Sequence, residues 1–105
     1  NDRLSKYIVT PNILDDYKSS WAQYSLIMDS EKDRDTIINV LNANNIPTAI
    51  FYKIPFNENK LYKDESKNFC ISNKISKRIF SIPMHPYLSD KDIDNITSTI
   101  IRYFE

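Results

Sequence analysis

At 105 residues and 41% apolar content, the chain is long enough for one domain with one core, on the lean side for a free-standing fold. Its 14 basic and 14 acidic residues cancel and are scattered, which excludes a field that steers a protein to nucleic acid or an anionic membrane; no apolar run approaches the roughly 18 residues of a spanning helix. There is no glycine, so a Walker loop, a dinucleotide-binding G-x-G-x-x-G and a G-x-S-x-G nucleophile elbow are all ruled out.

Residues 1–20 read as an irregular arm. Tyr7-Ile8-Val9 before Thr10-Pro11 suits a short extended piece, and Asn12–Ser20 is polar apart from Ile13, Leu14 and Tyr17. Trp21–Met28 alternates as a strand, with Ala22, Tyr24, Leu26 and Met28 as the core-facing set. A helix follows, opened by Ser30 or Asp33 as its cap and carried by Ile37, Ile38, Val40 and Leu41 to about Asn44. With no glycine to end it, Asn44-Asn45 takes the left-handed position, and Pro47 follows at the usual distance. Thr48–Ile54 reads as a second strand closed by Pro55. A long polar loop then covers Phe56–Lys67, with a helical turn expected at Asn59–Lys63.

Phe69–Arg78 reads as a short helix and Ile79–Ile82 as a third strand. That strand stops at Pro83-Met84-His85-Pro86, where two prolines remove backbone donors and press Ile82 and His85 into extended geometry. Ser89 and Asp92 then form a capping-box pattern for a helix to Phe104, its apolar face drawn from Ile93, Ile96, Ile100 and Tyr103-Phe104. The simplest packing is an α/β (α+β) sandwich, a small three-stranded sheet covered by helices on one face.

Side-chain chemistry is sparse. Asp90-x-Asp92-x-Asp94 has the rhythm of a calcium loop, but it lacks the required glycine, and Ile101 stands where the bidentate glutamate belongs. A solvated helix start is the better reading. Cys70 and His85 are the sole residues of their kinds; without local context they make a poor thiol–imidazole pair, and His85 is expected to satisfy a turn carbonyl. One cysteine leaves no internal disulfide and fits a reducing, cytoplasmic compartment. No Cys/His cluster suggests a metal. Phe51-Tyr52, at a strand end beside a long loop, suits either core packing or the wall of a ligand cleft. The chain opens at Asn1 without methionine, so a processed product or a piece of something longer is expected.

Three stretches carry a family resemblance. WAQYSLIM with the helix after it, NNIPTAIFYKIPFN, and KRIFSIPMHPYLSDKDIDNI resemble, in that order, the C-terminal domain of the DegT/DnrJ/EryC1/StrS sugar aminotransferases over about residues 20–103. The family's S-L-P-M-H-P-x-L pattern is met by Ser81, Pro83, Met84, His85, Pro86 and Leu88. The resemblance implies the small C-terminal domain of an aspartate-aminotransferase-like (fold type I) enzyme, spanning 21–105, with residues 1–20 leading from a large N-terminal domain. It further implies pyridoxal phosphate as cofactor, glutamate as amino donor, a nucleotide-linked keto sugar as acceptor and a homodimer. The cofactor lysine and its aspartate partner belong to the large domain, so no catalytic residue is expected here. Tyr52, Phe51 and Asn57 are the substrate-binding candidates the resemblance implies. Phe51-Tyr52-Lys53 replaces a common His-Tyr-Pro, and Asn57 stands near a frequent histidine. The alternative is a free-standing α/β regulatory or interaction module that binds a small ligand or protein.

Overall fold

The computed structural model describes residues 1–62 and 69–105. Among these, two strands, β1 (Tyr24–Ile27) and β2 (Ile79–Ile82), pair antiparallel with Leu26 opposite Phe80 and Ser25 opposite Ser81. Three helices accompany them: α1 (Glu31–Ala43), α2 (Cys70–Ser76) and α3 (Asp90–Phe104), with a 3₁₀ turn at Phe56–Glu58.

The register divides the sheet into two unlike faces. Directly opposed residues share a face, as do residues two apart along a strand. Leu26 and Phe80 therefore point the same way, flanked by the partly buried Tyr24 and Ile82. Ile37 and Leu41 of α1 and Ile96 and Ile100 of α3 close over them, and Leu26, Ile37, Leu41 and Ile100 are entirely buried. The other face carries Ser25 and Ser81, their hydroxyls 2.9 Å apart.

The third expected strand does not form. Thr48–Ile54 contributes one bridge, Ala49 to Ser81, with N–H···O distances of 3.0 and 2.7 Å, and the chain then turns away. Pro47 has no N–H to add to a ladder. Beyond Ala49, Phe51, Tyr52 and Ile54 are more than half exposed, so no burial holds a longer strand in place. A matching bridge, Val9 to Ile27, flanks β1. The sheet thus has two full strands with one residue pair added outside each. β1 also begins later than the expected Trp21, which sits at φ 51°, with its N–H bonded to the Ser19 hydroxyl at 3.1 Å. A bulky residue in that left-handed region bends the chain and postpones pairing.

Residues 1–20 are less irregular than the sequence suggests. Ser5 and Ile8 donate backbone hydrogen bonds to Asn1 and Leu4, one helical turn that sets Leu4 (3% exposed) and Ile8 (6%) into the core.

Helix ends follow local rules. Ser30, not Asp33, caps α1: its hydroxyl accepts from the Asp33 N–H at 3.1 Å. At the other end Asn45 adopts φ 58°. Its N–H bonds to the Asn42 carbonyl and that of Ile46 to Leu41, the paired bonds of a Schellman motif, with Ile46 and Leu41 both buried. α3 carries the reciprocal capping box of Ser89 and Asp92. Its inward face is Ile96, Thr99 and Ile100, whereas Ile93 remains 45% exposed. α2 is shorter than the expected Phe69–Arg78 and buries only Ser76. The expected helical turn at Asn59–Lys63 appears as a Tyr62-to-Asn59 backbone bond; Lys63–Lys67 lie outside the described residues.

Candidate functional site

The Ala49–Ser81 bridge fixes where the next residues can go. It anchors the Pro47–Ala49 segment beside the end of β2, where the proline corner begins. The backbone N–H of Leu88 donates to the His85 carbonyl at 3.3 Å, closing a turn with Pro86 at its second position. It is thus the backbone carbonyl of His85, rather than its ring, that takes part in the turn. The ring is exposed, 6.4 Å from that of Tyr87.

Between the segment and the corner lies a cleft of about 330 Å³, lined by Gln23, Thr48, Phe51, Pro83, Met84 and His85 among others. A second cleft of about 260 Å³ adjoins it along Pro47, Pro83 and His85 and continues to Asn45, Asp92 and Asn95. His85 stands on the ridge that both share. Among the described residues, neither cleft is lined by lysine or arginine.

The three substrate candidates from the sequence part company. Phe51, 57% exposed, lines the cleft with His85. Tyr52, 65% exposed, lines a different one of about 340 Å³ with Phe56, Ile75 and Ile79. The chain turns at Phe51-Tyr52 directly after the Ala49 bridge, which sends the two side chains to different clefts. Asn57 lines neither; its Nδ2 donates to Oδ1 of Asn73 on α2 at 2.8 Å.

Two groups that stand out in the structure are not among the substrate-contact candidates read from the sequence. His85 was visible as the one histidine on a rigid corner, but nothing local shows that its ring borders a cleft with Phe51. Arg34 carries no signal beyond its place on α1, yet it is 5% exposed. Its guanidinium reaches Asp35 at 2.8 Å, Glu31 at 3.4 Å and the Ser76 carbonyl at 3.5 Å, which ties α2 to α1. A buried guanidinium needs these partners, and their number explains its tolerance.

Two further clefts lie away from this region. The larger, about 540 Å³, is bordered by Lys6, Tyr7, Met28, Asp29, Asp33 and Tyr103. Burial, with the Asp33 carboxylate nearby, raises the Tyr103 hydroxyl above its ordinary pKa. The other, about 340 Å³, is mainly apolar and lies among Leu4, Tyr24, Met84 and Ile93. The Tyr24 hydroxyl, raised chiefly by burial and then by Asp2, donates to Asn1 Oδ1.

Metal and cofactor chemistry find little support in these residues. Among those described, no three His, Cys, Asp or Glu side chains converge. Asp92 is held by the Ser89 hydroxyl and backbone N–H, which keep its carboxyl below the usual range, and Asp94 pairs with Arg3. Cys70 is exposed, and among the described residues it lines none of these clefts, whereas His85 lines two. Every described lysine is exposed. An amine that links covalently to a carbonyl cofactor is ordinarily desolvated to lower its pKa, and no described lysine fits that role. No helix among the described residues is long and apolar enough to cross a membrane.

Comparison with known proteins gives this geometry a context. The chain is 34% identical over 93 residues to UDP-2-acetamido-2-deoxy-3-oxo-D-glucuronate aminotransferase of Pseudomonas aeruginosa, covering 89% of this chain and 25% of that protein. It is 29% identical over 98 residues to dTDP-3-amino-3,6-dideoxy-alpha-D-galactopyranose transaminase of Aneurinibacillus thermoaerophilus, covering 92% and 26% respectively. The chain therefore spans about a quarter of the length of these relatives. The crystal structure of a DegT DnrJ EryC1 StrS aminotransferase from Brucella abortus superposes with a TM-score of 0.90 at 33% identity, over 99% of this chain and 28% of that one. The model of the DegT/DnrJ/EryC1/StrS aminotransferase family matches residues 3–101, and the chain belongs to that family.

Proposed function

We propose that this chain is the C-terminal small domain of a pyridoxal-phosphate-dependent aminotransferase. The enzyme moves an amino group from glutamate to a keto sugar carried on a nucleotide, for amino-sugar or cell-surface polysaccharide synthesis in the cytoplasm. The keto oxygen of the sugar is replaced by an amino group, and glutamate leaves as 2-oxoglutarate. The observation that carries the reading is the match over residues 3–101 to an aminotransferase family whose similar members are about four times longer. The names of those relatives, both transaminases of nucleotide-linked sugars, favour the substrate class.

The cofactor supplies an electron sink for carbanion chemistry when bound. On this reading its covalent lysine comes from a large N-terminal domain of the same polypeptide, as the family resemblance implies. This chain packs against that domain, within a homodimer, and walls the substrate cleft. Phe51 lines that cleft beside His85, Tyr52 lines the neighbouring one, and Asn57, tied to Asn73, shapes the loop between Pro55 and α2.

The test uses the protein encoded by the complete reading frame that contains these residues. Loaded with pyridoxal phosphate and given glutamate alone, it is expected to convert the cofactor absorbance to that of the amine form and release 2-oxoglutarate. A UDP- or dTDP-linked 3-keto sugar should then regenerate the starting spectrum. Failure with glutamate overturns the aminotransferase reading. Success with glutamate but regeneration only by 2-oxo acids overturns the sugar substrate.

A further inference from the structure

We infer that the paired clefts on either side of His85 hold the hexose ring of the nucleotide-linked sugar, with His85 as a specificity-determining hydrogen-bonding group and Phe51 as the apolar platform. This rests on the aminotransferase reading and adds to it which part of the substrate these residues meet and through which side chain.

Charge decides which part of the ligand fits. A nucleotide sugar has a doubly anionic diphosphate between a neutral nucleoside and a hexose that is neutral unless it is a uronic acid, and phosphates are met by arginine, lysine or helix N-termini. Among the described residues neither cleft is lined by arginine or lysine, and the α3 N-terminus bordering the one beyond the ridge is already engaged by the Ser89–Asp92 capping box, with the Asp92 carboxyl held in its anionic form by Ser89. A diphosphate would be repelled there, so a neutral ring is the complementary occupant. The lining also suits a sugar in detail. Phe51, Pro83 and Met84 offer flat or soft apolar surface for the C–H face of a pyranose. Gln23, Thr48 and His85 offer hydrogen-bonding groups among them. That combination of apolar walls with a few placed polar groups is the usual composition of a small-molecule site.

His85 differs from the other hydrogen-bonding groups in how it is held. Pro83 and Pro86 restrict the backbone on both sides of it, and the Leu88-to-His85 bond closes the turn. Its position is therefore set before any ligand arrives, which lowers the ordering cost of binding. Phe51 is placed by the Ala49–Ser81 bridge two residues earlier. Neither residue holds the fold together, because both side chains are exposed.

The experiment compares the complete enzyme with its His85→Ala and His85→Gln variants. Equilibrium affinities are measured for UDP-N-acetylglucosamine, an unreactive sugar nucleotide, and for UDP alone; dTDP-glucose and dTDP serve as a second pair. His85→Ala is expected to weaken the sugar nucleotide about tenfold, equivalent to roughly 1.4 kcal/mol, with UDP or dTDP changed less than twofold. His85→Gln, which keeps a donor and an acceptor, should recover most of the loss. In turnover, the His85→Ala effect should fall on KM for the sugar nucleotide rather than on kcat. Equal weakening of the nucleotide without its sugar would place the nucleoside here instead and overturn the assignment. No weakening of either ligand would overturn it too. The glutamate half-reaction of the unsubstituted enzyme separates the two levels: its absence removes the aminotransferase reading, whereas its presence beside either adverse binding result removes this inference alone.

Discussion

Replacing Leu4 by alanine tests whether the first residues belong to the core. The sequence places Leu4 in an arm without periodicity, while the structure leaves it 3% exposed among Ile8, Leu26 and Ile96. The substitution removes three carbons, and at about 0.8 kcal/mol for each buried methylene the transfer term alone is about 2.4 kcal/mol. A cavity term brings Leu→Ala in a core to about 2–5 kcal/mol, and a side chain carried on a single helical turn lets its surroundings close around the gap, so about 2–3 kcal/mol is expected. For a domain near 100 residues that lowers Tm by roughly 8–24 °C. Leu14→Ala is the internal control, since Leu14 belongs to the same arm but is 65% exposed; it should move stability by less than about 0.5 kcal/mol. Urea denaturation of the 105-residue chain followed by circular dichroism gives both numbers, with the slope m unchanged in each variant. If Leu4→Ala and Leu14→Ala shift the midpoint equally, the helical turn at Asn1–Ile8 does not seat Leu4 as described.

Other substitutions probe the ends and joints of the helices. Asn45 occupies a left-handed position at φ 58°, so Asn45→Ala should destabilise by about 1 kcal/mol and Asn45→Gly should not, as compared by denaturation midpoints. The Asp92 carboxyl lies below its usual range because it accepts from Ser89. Its contribution to stability is therefore full above the unfolded carboxylate pKa of about 3.9 and disappears as pH falls through the lower folded value. The stability gap between the parent chain and Asp92→Asn should narrow on acidification through that interval, and a gap constant from neutral pH to pH ~2 would contradict the capping account. Arg34→Ala removes the tie from α1 to the Ser76 carbonyl and should destabilise by about 1–3 kcal/mol. Amide exchange in Cys70–Ser76 should accelerate more than in α3; uniform acceleration would place the role of Arg34 elsewhere.

The parts legible in the sequence are those decided within a few residues. Ser30, Ser89 and Asp92 cap helices through contacts three positions away. Asn45 ends α1 because, in a chain without glycine, asparagine is the residue that best tolerates a left-handed backbone. The proline corner after Ile82 is likewise a local consequence of two missing donors. Of the inward set expected for the first strand, Leu26 and Met28 are buried and Tyr24 is partly buried, whereas Ala22 precedes β1 and is exposed. The family resemblance drew on the same local signatures, in their order along the chain.

What the tertiary structure decided depends on groups far apart in sequence. Thr48–Ile54 has strand-forming residues, but a strand also needs a continuous partner and something to cover its side chains. Here only Ala49 finds Ser81, and Phe51 and Tyr52 are left outward on different clefts. Leu4 and Ile8 become core because the sheet and α3 offer them an apolar surface, not because the arm favours a helix by itself. His85 meets Phe51 across a cleft only once β2 and the Pro47–Ala49 segment lie side by side. Hydrogen bonds within one turn close with little loss of chain entropy, so sequence alone can specify them; contacts across tens of residues close only when the whole core forms, and their pairing is a property of that core.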